Sequence, residues 1–359
     1  MPFYDNNDSD KIPPQQHRIN LSPIAENVLE SDRLSFSQDG KAIKDQVIRN
    51  IIIRNYYKEA DASVERRLIQ YGQELDDLLN PLTCLNSSDR LNVKIKLIDK
   101  RKKVLKEKAN RYSKDKTTSR QLNLNRENYA YFACGEEDDE GEICAEDEHY
   151  KNLSQYLKSL IEEYARLPYV KREVIYFKPR FQTIGQAIED KRRLKVTISN
   201  GSRYFICPYK VCTDPLATAN YLVGYSKPID HEWEKPVLAS FRISALKDIK
   251  NTKKQVHLTI EQRNEIEHYI KMRGVQFLVW NEEEIRVRLT DNGHQKYNRQ
   301  HNLRPSVARI EDDGSLIFNC TQSQAEFYFF KFGEDAEILS PLKLRERFAE
   351  LYCRAAERY

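Results

Sequence analysis

The sequence predicts an α+β protein of several domains, and three observations support this. The chain has 359 residues, which is longer than single hydrophobic cores usually become. In its N-terminal half, apolar residues recur at helical spacing, first over residues 43–56 and then over 64–105. From Leu194 onwards, short runs of β-branched and aromatic residues predict strands, with further helices towards the C-terminus. We therefore expect three folded parts along the chain.

The charges are unevenly distributed, although the net charge predicts no partner. The 59 lysines and arginines and the 55 acidic residues leave a charge of +4. Residues 94–120 contain twelve Lys or Arg against three acidic residues, whereas residues 136–148 contain nine acidic residues and no basic one. The basic stretch is either a solvated helix face or a landing surface for nucleic acid, with the acidic stretch as its competitor. The salt dependence of binding would distinguish these alternatives.

Composition and motifs argue against several classes of protein. The seven cysteines are odd in number and form no CxxC pair, so neither a disulfide framework nor a zinc site is expected. The sequence has no HExxH, no GxSxG and no Walker loop. We therefore expect no enzyme and no cofactor, although the clustered carboxylates of a metal-dependent nuclease are not recognisable from spacing alone. The polar N-terminus and the lack of an apolar run of about 20 residues predict a cytoplasmic protein without a membrane partner.

Residues 16–60 have the pattern of a strand followed by two helices. Residues 1–15 before them are polar and predict a flexible arm. Residues 18–21 alternate polar and apolar side chains, Ser22-Pro23 is a helix-start signal, and the second helix follows the apolar spacing of 43–56. A single short strand has an unpaired edge, so we expect a second copy of the chain to pair with it in a homodimer.

This strand-helix-helix pattern resembles the ribbon-helix-helix family of dimeric nucleic-acid-binding modules. The resemblance implies that the outward side chains of the ribbon, here Gln16, Arg18 and Asn20, enter a groove of the nucleic acid. It also implies a phosphate at the first turn of the second helix, with Lys41 and Lys44 nearby. The alternative is that this module only dimerises and does not contact nucleic acid.

Residues 61–180 predict a helical linker region with the basic helix and the acidic loop. Asn80-Pro81 separates two helical segments, which indicates a helical hairpin. A further helix is expected over 153–166, where leucine, tyrosine and isoleucine recur at helical spacing.

Residues 181–255 predict a short helix followed by a compact β module, with strands at 194–198, 203–207, 221–225 and 239–243. Several of these segments resemble successive elements of the WYL domain, which the resemblance implies to be a small Sm-like β-barrel that binds ligands or nucleic acid. The segments are 184–188, 195–198, 207–211, 220–225 and 240–244. In the naming triplet Trp-Tyr-Leu of that family, Asn220 replaces the tryptophan, while Tyr221 is retained.

The resemblance to WYL domains also implies a set of binding residues. The nucleic-acid-binding residues carried over by position are Tyr209, Lys210, Tyr221, Arg242 and Ser244. The second arginine of the family's last strand falls on Ala245, so one cation of the usual pocket is missing, which argues against a small anionic messenger as ligand. The tyrosines, including Tyr225, could stack on bases while Arg242 binds phosphate. Alternatively, they are core residues and Arg242 forms a structural ion pair.

Residues 256–359 predict a small α/β domain at the C-terminus. Helices are expected at 259–273 and 341–357, and strands at 275–280, 285–289, 316–320 and 325–330. The segments 327–333 and 338–341 resemble the C-terminal extension that WYL proteins carry. Together with the N-terminal module, the chain is similar to the WYL accessory proteins of RNA-targeting (type VI) CRISPR systems.

This similarity implies a single-stranded RNA-binding accessory that modulates an RNA-guided nuclease. The alternative is a DNA-binding transcriptional regulator with a WYL ligand-sensing domain. A purely structural scaffold is a weaker alternative, because it leaves the predicted basic ribbon and barrel without a role.

Overall fold

The computed structural model describes residues 16–38, 40–82, 84–111, 118–134, 153–214, 216, 218–230, 235–278 and 283–359. The chain divides into two compact units, residues 1–178 and 179–359. The predicted α+β class is confirmed, while the finer domain bounds at residues 60, 180 and 255 stay predictions. The expected flexible arm and the acidic stretch 136–148 lie outside the described residues.

The N-terminal unit contains two strands and six helices among its described residues. In chain order these are β1 (Gln16–Leu21), α1 (Pro23–Ser35), α2 (Asp45–Leu79), α3 (Ser87–Arg111), β2 (Thr118–Asn123), α4 (Arg126–Cys134), α5 (Leu153–Tyr164) and α6 (Tyr169–Tyr176). The predicted strand and its two helices are confirmed. The predicted break between the two segments of the helical hairpin is also confirmed, because α2 ends at Leu79 and Asn80 is its C-cap. The helix predicted over 153–166 is α5.

Strand β1 is paired within its own chain, which corrects one expectation. It pairs antiparallel with β2, from Gln16 opposite Asn123 to Leu21 opposite Thr118. The hydrogen-bonding edge that we expected a second copy of the chain to fill is therefore filled by β2. The argument from an unpaired strand to a homodimer is wrong for this reason, and the homodimer itself stays a prediction.

The two strands begin similar strand-helix-helix segments. The sequence from Arg18 to Ser22 reads Arg-Ile-Asn-Leu-Ser, and that from Gln121 to Asn125 reads Gln-Leu-Asn-Leu-Asn. The hydroxyl of Ser22 accepts a bond from the backbone amide of Ala25 at 3.2 Å, and the side chain of Asn125 accepts one from the amide three residues on at 2.9 Å. Both strands thus turn directly into capped helices, as the preference for Ser and Asn at helix N-caps predicts.

Buried charges join the helices of this unit beneath the ribbon. The carboxylate of Asp32 in α1 accepts bonds from Nε of Arg172 at 2.7 Å and from the hydroxyl of Tyr164 at 2.8 Å. Glu162 accepts bonds from the amide of Ser22 at 2.5 Å and from its hydroxyl at 2.8 Å. Burial, together with the charge and hydrogen bond of Asp32, raises the pKa of Tyr164. These contacts link α1 to α5 and α6, while α2 packs against α5.

The next segment forms a five-stranded antiparallel sheet. It follows α7 (Lys178–Glu189) and consists of β3 (Arg192–Ile198), β4 (Arg203–Thr213), β5 (Asn220–Pro228), β6 (Val237–Arg242) and β7 (Leu246–Gln255), in the order β6-β5-β4-β3-β7. The predicted helix and four strands lie in α7 and β3 to β6. Strand β7 was not predicted, because most of its side chains are polar and exposed. One sheet face packs on α7 through Ile184 and Ala187.

The C-terminal segment forms a second, four-stranded sheet with helices. Its elements are α8 (Ile260–Arg273), β8 (Glu283–Leu289), α9 (Asp291–Arg299), β9 (Val307–Ile310), β10 (Leu316–Cys320), α10 (Gln322–Phe329), β11 (Ala336–Ser340) and α11 (Leu342–Ala356). The strand order is β11-β8-β10-β9. The predictions of α8, β8, β10 and α11 are confirmed, whereas α9, β9 and β11 were not predicted.

Two predicted strands in this segment are wrong over the residues that the structure describes. Residues 325–330 belong mainly to α10, whose N-cap Thr321 accepts a bond from the amide of Gln324 at 3.1 Å. Ala325, Tyr328 and Phe329 are buried because they share one helix face. Residues 275–277 form a 3-10 turn. Of the other residues in the strand expected at 275–280, Leu278 follows that turn, and residues 279 and 280 lie outside the described part of the chain.

Candidate nucleic-acid interface

The outward face of the ribbon formed by β1 and β2 is polar. The predicted residues Gln16, Arg18 and Asn20 are exposed, and the residues that alternate with them are buried. Three exposed residues of β2 that the sequence analysis did not select lie opposite them, namely Asn123, Gln121 and Ser119. The structure therefore brings amide, hydroxyl and guanidinium groups together on one face, and these groups can hydrogen-bond to base edges.

Side-chain contacts orient this face and place the start of α2 beside it. Nε of Arg18 donates to the hydroxyl of Ser119 at 2.6 Å. The side chain of Gln46, in the first turn of α2, bonds the carbonyl of Gln121 at 2.7 Å and the amide of Asn123 at 3.0 Å. The exposed Lys44 is the N-cap of α2 and makes no capping bond with its side chain. It thus lies at the helix end that contacts the ribbon, where a phosphate is favoured.

Lys41 lies in the turn before α2 and is also exposed. Its carbonyl accepts a bond from the hydroxyl of Ser37 at 2.6 Å, which closes this turn. Both predicted lysines therefore lie just before α2, which begins at Asp45, and their contact with a phosphate stays a prediction.

In the C-terminal unit, Tyr209 and Lys210 meet an acidic side chain of α8. Nζ of Lys210 lies 2.6 Å from Oε1 and 2.8 Å from Oε2 of Glu267. The hydroxyl of Tyr209 donates to Oε1 of the same carboxylate at 2.8 Å. Nζ of Lys210 also lies 5.5 Å from the centroid of the Tyr209 ring. The predicted cation is therefore present, but it is already in an ion pair.

Tyr221 and Arg242 are directly opposed on β5 and β6. Tyr221 is partly buried and packs with Tyr209 on the sheet side that α8 covers, whereas Arg242 is exposed at the end of its strand. Tyr225, two pleats further along β5, donates to Glu265 of α8. The alternative that these tyrosines are core residues thus holds in part. Each ring contacts α8 or the buried residues between α8 and the sheet, while Tyr209 and Tyr221 stay partly accessible to solvent.

Ser244 is buried in a 3-10 turn after β6. Its carbonyl accepts a bond from Arg180 at 3.4 Å. In the described geometry, Tyr209, Lys210, Tyr221 and Arg242 share one sheet face, and Ser244 supports the turn that follows.

The ion pair at Glu267 also sets the protonation states of its partners. Hydrogen bonds from Lys210 and Tyr209 lower the pKa of the Glu267 carboxyl. The bond to Glu267 raises the pKa of Tyr209, and burial adds to this. Burial, the largest single effect, lowers the pKa of Lys210, but the hydrogen bond to Glu267 and the charges of Cys212, Glu267 and Tyr209 together outweigh it, so the pKa of Lys210 is raised. At neutral pH the cluster is therefore an ammonium, a carboxylate and a neutral phenol.

Replacing Glu267 with glutamine should strengthen binding of single-stranded RNA about two- to fivefold, because it frees Lys210 from an exposed ion pair worth up to about 1 kcal/mol. The amide still accepts a bond from Tyr209, so the local geometry is kept. Fluorescence anisotropy at one fixed salt concentration measures the change. The control is Glu284→Gln, which breaks an ion pair of 2.6 Å with Arg309 between exposed residues elsewhere in the unit, while Arg309 keeps its pair with Glu311. Equal affinities of the two variants would place Lys210 outside the binding site.

Sequence reasoning missed Glu267 and the three residues of β2. Glu267 lies on a helix whose charged residues surround it, so no spacing singled out this carboxylate. The signal for β2 was present, because Leu122, Asn123 and Leu124 repeat the order of Ile19, Asn20 and Leu21.

The described residues offer neither a membrane-spanning helix nor a metal site. None of their helices is long and apolar enough to cross a membrane. Nor do the described residues contain a group of three or more His, Cys, Asp or Glu that could hold a metal ion.

The geometry defines a protein of two units that each combine helices with antiparallel strands, and comparisons place this fold among known proteins. Residues 281–356 match the family model of the WCX domain. The whole chain is similar in fold to a protein described as a CRISPR Cas-related protein, with 21% identity and a TM-score of 0.73, over 100% of this chain and 97% of that one. The predicted similarity to WYL-type, CRISPR-associated proteins is thereby confirmed.

A second structure is similar only in part. It is the proteasome accessory factor B/C of Arthrobacter aurescens, with 15% identity and a TM-score of 0.31, over 67% of this chain and 37% of that one. This likeness is too low to carry an argument. A comparison with curated proteins gives no match in sequence.

Proposed function

We propose that this chain is a nucleic-acid-binding regulatory protein, and specifically a single-stranded RNA-binding accessory that modulates an RNA-guided CRISPR nuclease. The observation that carries this proposal is the fold similarity to a CRISPR Cas-related protein over the full length of both chains. In this proposal the protein regulates by binding and has no catalytic activity of its own.

Within this proposal, each of the two units contains the modules that its own part of the sequence resembles. The segments beginning with β1 and β2 form a ribbon-helix-helix unit inside one chain. The sheet β3 to β7 is the Sm-like barrel of a WYL domain, and the WCX domain follows it as the C-terminal extension. A homodimer remains part of the proposal, formed through the C-terminal domain, because the two ribbon strands already pair with each other.

The chemistry of the sheet face supports a single-stranded partner. Proteins that bind single strands combine aromatic rings, on which bases stack, with cations that contact phosphates. Tyr209 and Tyr221 supply rings on the face where Lys210 and Arg242 supply positive charge. A duplex hides the faces of its bases, so rings on this surface would gain little from it.

A second candidate function is a DNA-binding transcriptional regulator with a WYL ligand-sensing domain. The observation that favours it is the outward face of the ribbon, where Arg18 lies opposite Gln121. Arginine and amide side chains are those that read guanine and adenine in the major groove of duplex DNA.

The two functions predict opposite strand preferences. We expect the protein to bind an unstructured single-stranded RNA more tightly than the same sequence as single-stranded or duplex DNA, with low sequence selectivity and a steep loss of affinity as salt increases. The titrations are run at one fixed salt concentration with the full chain. Tight, sequence-selective binding to duplex DNA together with weak binding to RNA would instead support the transcriptional regulator.

A further inference from the structure

Four residues lie side by side across neighbouring strands of the five-stranded sheet. Lys250 of β7 is opposite Lys195 of β3, Lys195 is opposite Phe205 of β4, and Phe205 is opposite Lys227 of β5. Directly opposed residues of antiparallel strands project from the same sheet face. We call these four residues the lysine-phenylalanine row.

The flanking residues show which face the row occupies. Leu194 and Val196, on either side of Lys195, are buried in the core that packs on α7. Lys195 therefore projects from the other face, which is the one that α8 covers in part. Cys207 and Tyr225, the next opposed pair of β4 and β5 on this face, belong to the cluster beneath α8. The row thus lies just beyond the edge of this helix, where Lys195 and Lys250 are exposed.

A guanidinium group covers the aromatic ring at the centre of the row. The Cζ atom of Arg193 lies 3.7 Å from the centroid of the Phe205 ring. Nε of Arg193 is buried without a hydrogen-bond partner among the described residues. The ring rather than a carboxylate holds this guanidinium, and a planar guanidinium can stack on a base with its outer face.

The charge around this ring is strongly positive. Arg193, Lys227 and Lys254 all act on the thiol of Cys207; burial raises the pKa of this thiol, and the three charges oppose that increase. Within the row, Lys250 pairs with the acidic side chain of Asp248, at 3.3 Å. Of the described carboxylates on the strands and helix around this face, Asp230 pairs with Arg203 and Glu265 accepts a bond from Tyr225.

The spacing of the row suits a polyanion with bases. Adjacent strands lie about 4.8 Å apart, so the three steps from Lys250 to Lys227 span roughly 14 Å. A strand of that length carries several phosphates, and a base between them can stack on a central planar group. An acidic protein surface could pair with the lysines, but it would have no group that stacks on the guanidinium of Arg193 above the Phe205 ring.

We propose that the lysine-phenylalanine row, together with Arg193, is a binding site for single-stranded nucleic acid, separate from the residues around Tyr209 and Lys210. Phosphates contact Lys195, Lys227 and Lys250, and a base stacks on the outer face of Arg193. This inference rests on the proposed function, because it assumes that the chain binds single strands.

The test compares two triple variants of the full chain with a labelled oligouridylate. The first carries Lys195→Ala, Lys227→Ala and Lys250→Ala. The control carries Lys247→Ala, Lys271→Ala and Lys343→Ala, which removes the same charge from exposed positions of the same unit outside the row. If each row lysine neutralises one phosphate, the slope of log affinity against log salt falls by about 2, and affinity falls about tenfold or more, only in the first variant. Thermal melting checks that both variants are folded.

A further variant separates stacking from charge. Arg193→Lys keeps the positive charge and removes the plane, so affinity should fall about fivefold or more while the salt slope is unchanged. An affinity equal to that of the unaltered protein would show that no base stacks at this position.

The outcomes distinguish the two proposals. If the unaltered protein binds neither single-stranded RNA nor single-stranded DNA, the proposed function is wrong and the site is wrong with it. If the unaltered protein binds and the row variant behaves like its control, the site is wrong and the proposed function stands. If the row variant loses binding to duplex DNA and keeps binding to single strands, the row contacts a duplex backbone, which overturns the assignment to single strands.

Discussion

Replacing Asp32 with alanine is expected to lower the free energy of unfolding of the N-terminal unit by about 3–5 kcal/mol, the usual cost of removing one partner from a buried ion pair. The Asp32 side chain is fully buried, and Arg172 is 11% exposed. Nε and Nη2 of Arg172 donate to the two carboxylate oxygens at 2.7 and 3.0 Å. Without Asp32, the nearly buried guanidinium of Arg172 loses its carboxylate and keeps only the carbonyl of Leu167 as an acceptor, and the hydroxyl of Tyr164 loses the same carboxylate.

Two control variants separate the buried charge from other effects. Tyr164→Phe removes one hydrogen bond and no charge, so it should cost about 1 kcal/mol. Asp76→Ala breaks a partly exposed pair with Lys94 in the same unit, which lies at 2.6 Å, and should cost less than about 1 kcal/mol. Urea unfolding followed by far-ultraviolet circular dichroism resolves the loss of the helical N-terminal unit. A cost for Asp32→Ala no larger than that for Asp76→Ala would show that the buried pair contributes little.

The ribbon should respond to the same variant. Asp32 fixes α1 to α5 and α6, and α1 begins directly after β1 at Ser22, which Glu162 holds. Loss of the Asp32 contacts therefore frees the helix that positions Arg18 and Asn20. For this reason, any binding through the ribbon should be more sensitive to Asp32 than binding through the sheet of the other unit.

The strands and helices that could be predicted from sequence were those with strong local signals. Ser22-Pro23 marked the start of α1, and Asn80-Pro81 marked the end of α2. Strand β2 was missed because it follows a lysine-rich helix and pairs with a strand about a hundred residues earlier in the chain. Local periodicity does not report such a pairing, and only the similarity of the two strand sequences does.

At α10, the sequence predicted a strand where the structure has a helix. Its aromatic run has a high strand propensity, but the hydroxyl cap at Thr321 and the burial of Tyr328 and Phe329 against the sheet favour a helix. Tertiary packing thus decided between two structures that the residues themselves allow.

The candidate site was predictable in composition and less so in arrangement. The resemblance selected Tyr209, Lys210 and Tyr221, and the structure places them on one face. The pairing of Lys210 with Glu267 depends on how α8 packs on the sheet, and the row around Phe205 depends on the register of four strands. Neither is contained in the spacing of residues along the chain.

Replacing Gly224 with alanine is expected to destabilise the C-terminal unit by about 3 kcal/mol, at the upper end of the usual cost of overpacking. A Cβ atom at Gly224 would lie 2.2 Å from the carbonyl oxygen of Cys207. Gly224 is opposite Pro208, next to a break in register between β4 and β5, and a glycine in a strand often marks such a close approach of two backbones. Because the conflict is with backbone, no side-chain rotation relieves it.

The same substitution should also reduce binding. Moving β4 away from β5 displaces Phe205 from Lys227, which are opposed two residues from the point of conflict, so single-stranded RNA should bind more weakly even below the melting temperature. The control is Gly185→Ala in α7, where a Cβ atom meets nothing within 4 Å and helix propensity favours alanine by up to about 1 kcal/mol. Thermal melting and RNA titration of both variants measure the effects. If Gly224→Ala were as stable as Gly185→Ala, the close approach of β4 and β5 at the bulge would be wrong, and with it the register that aligns Phe205 with the lysines.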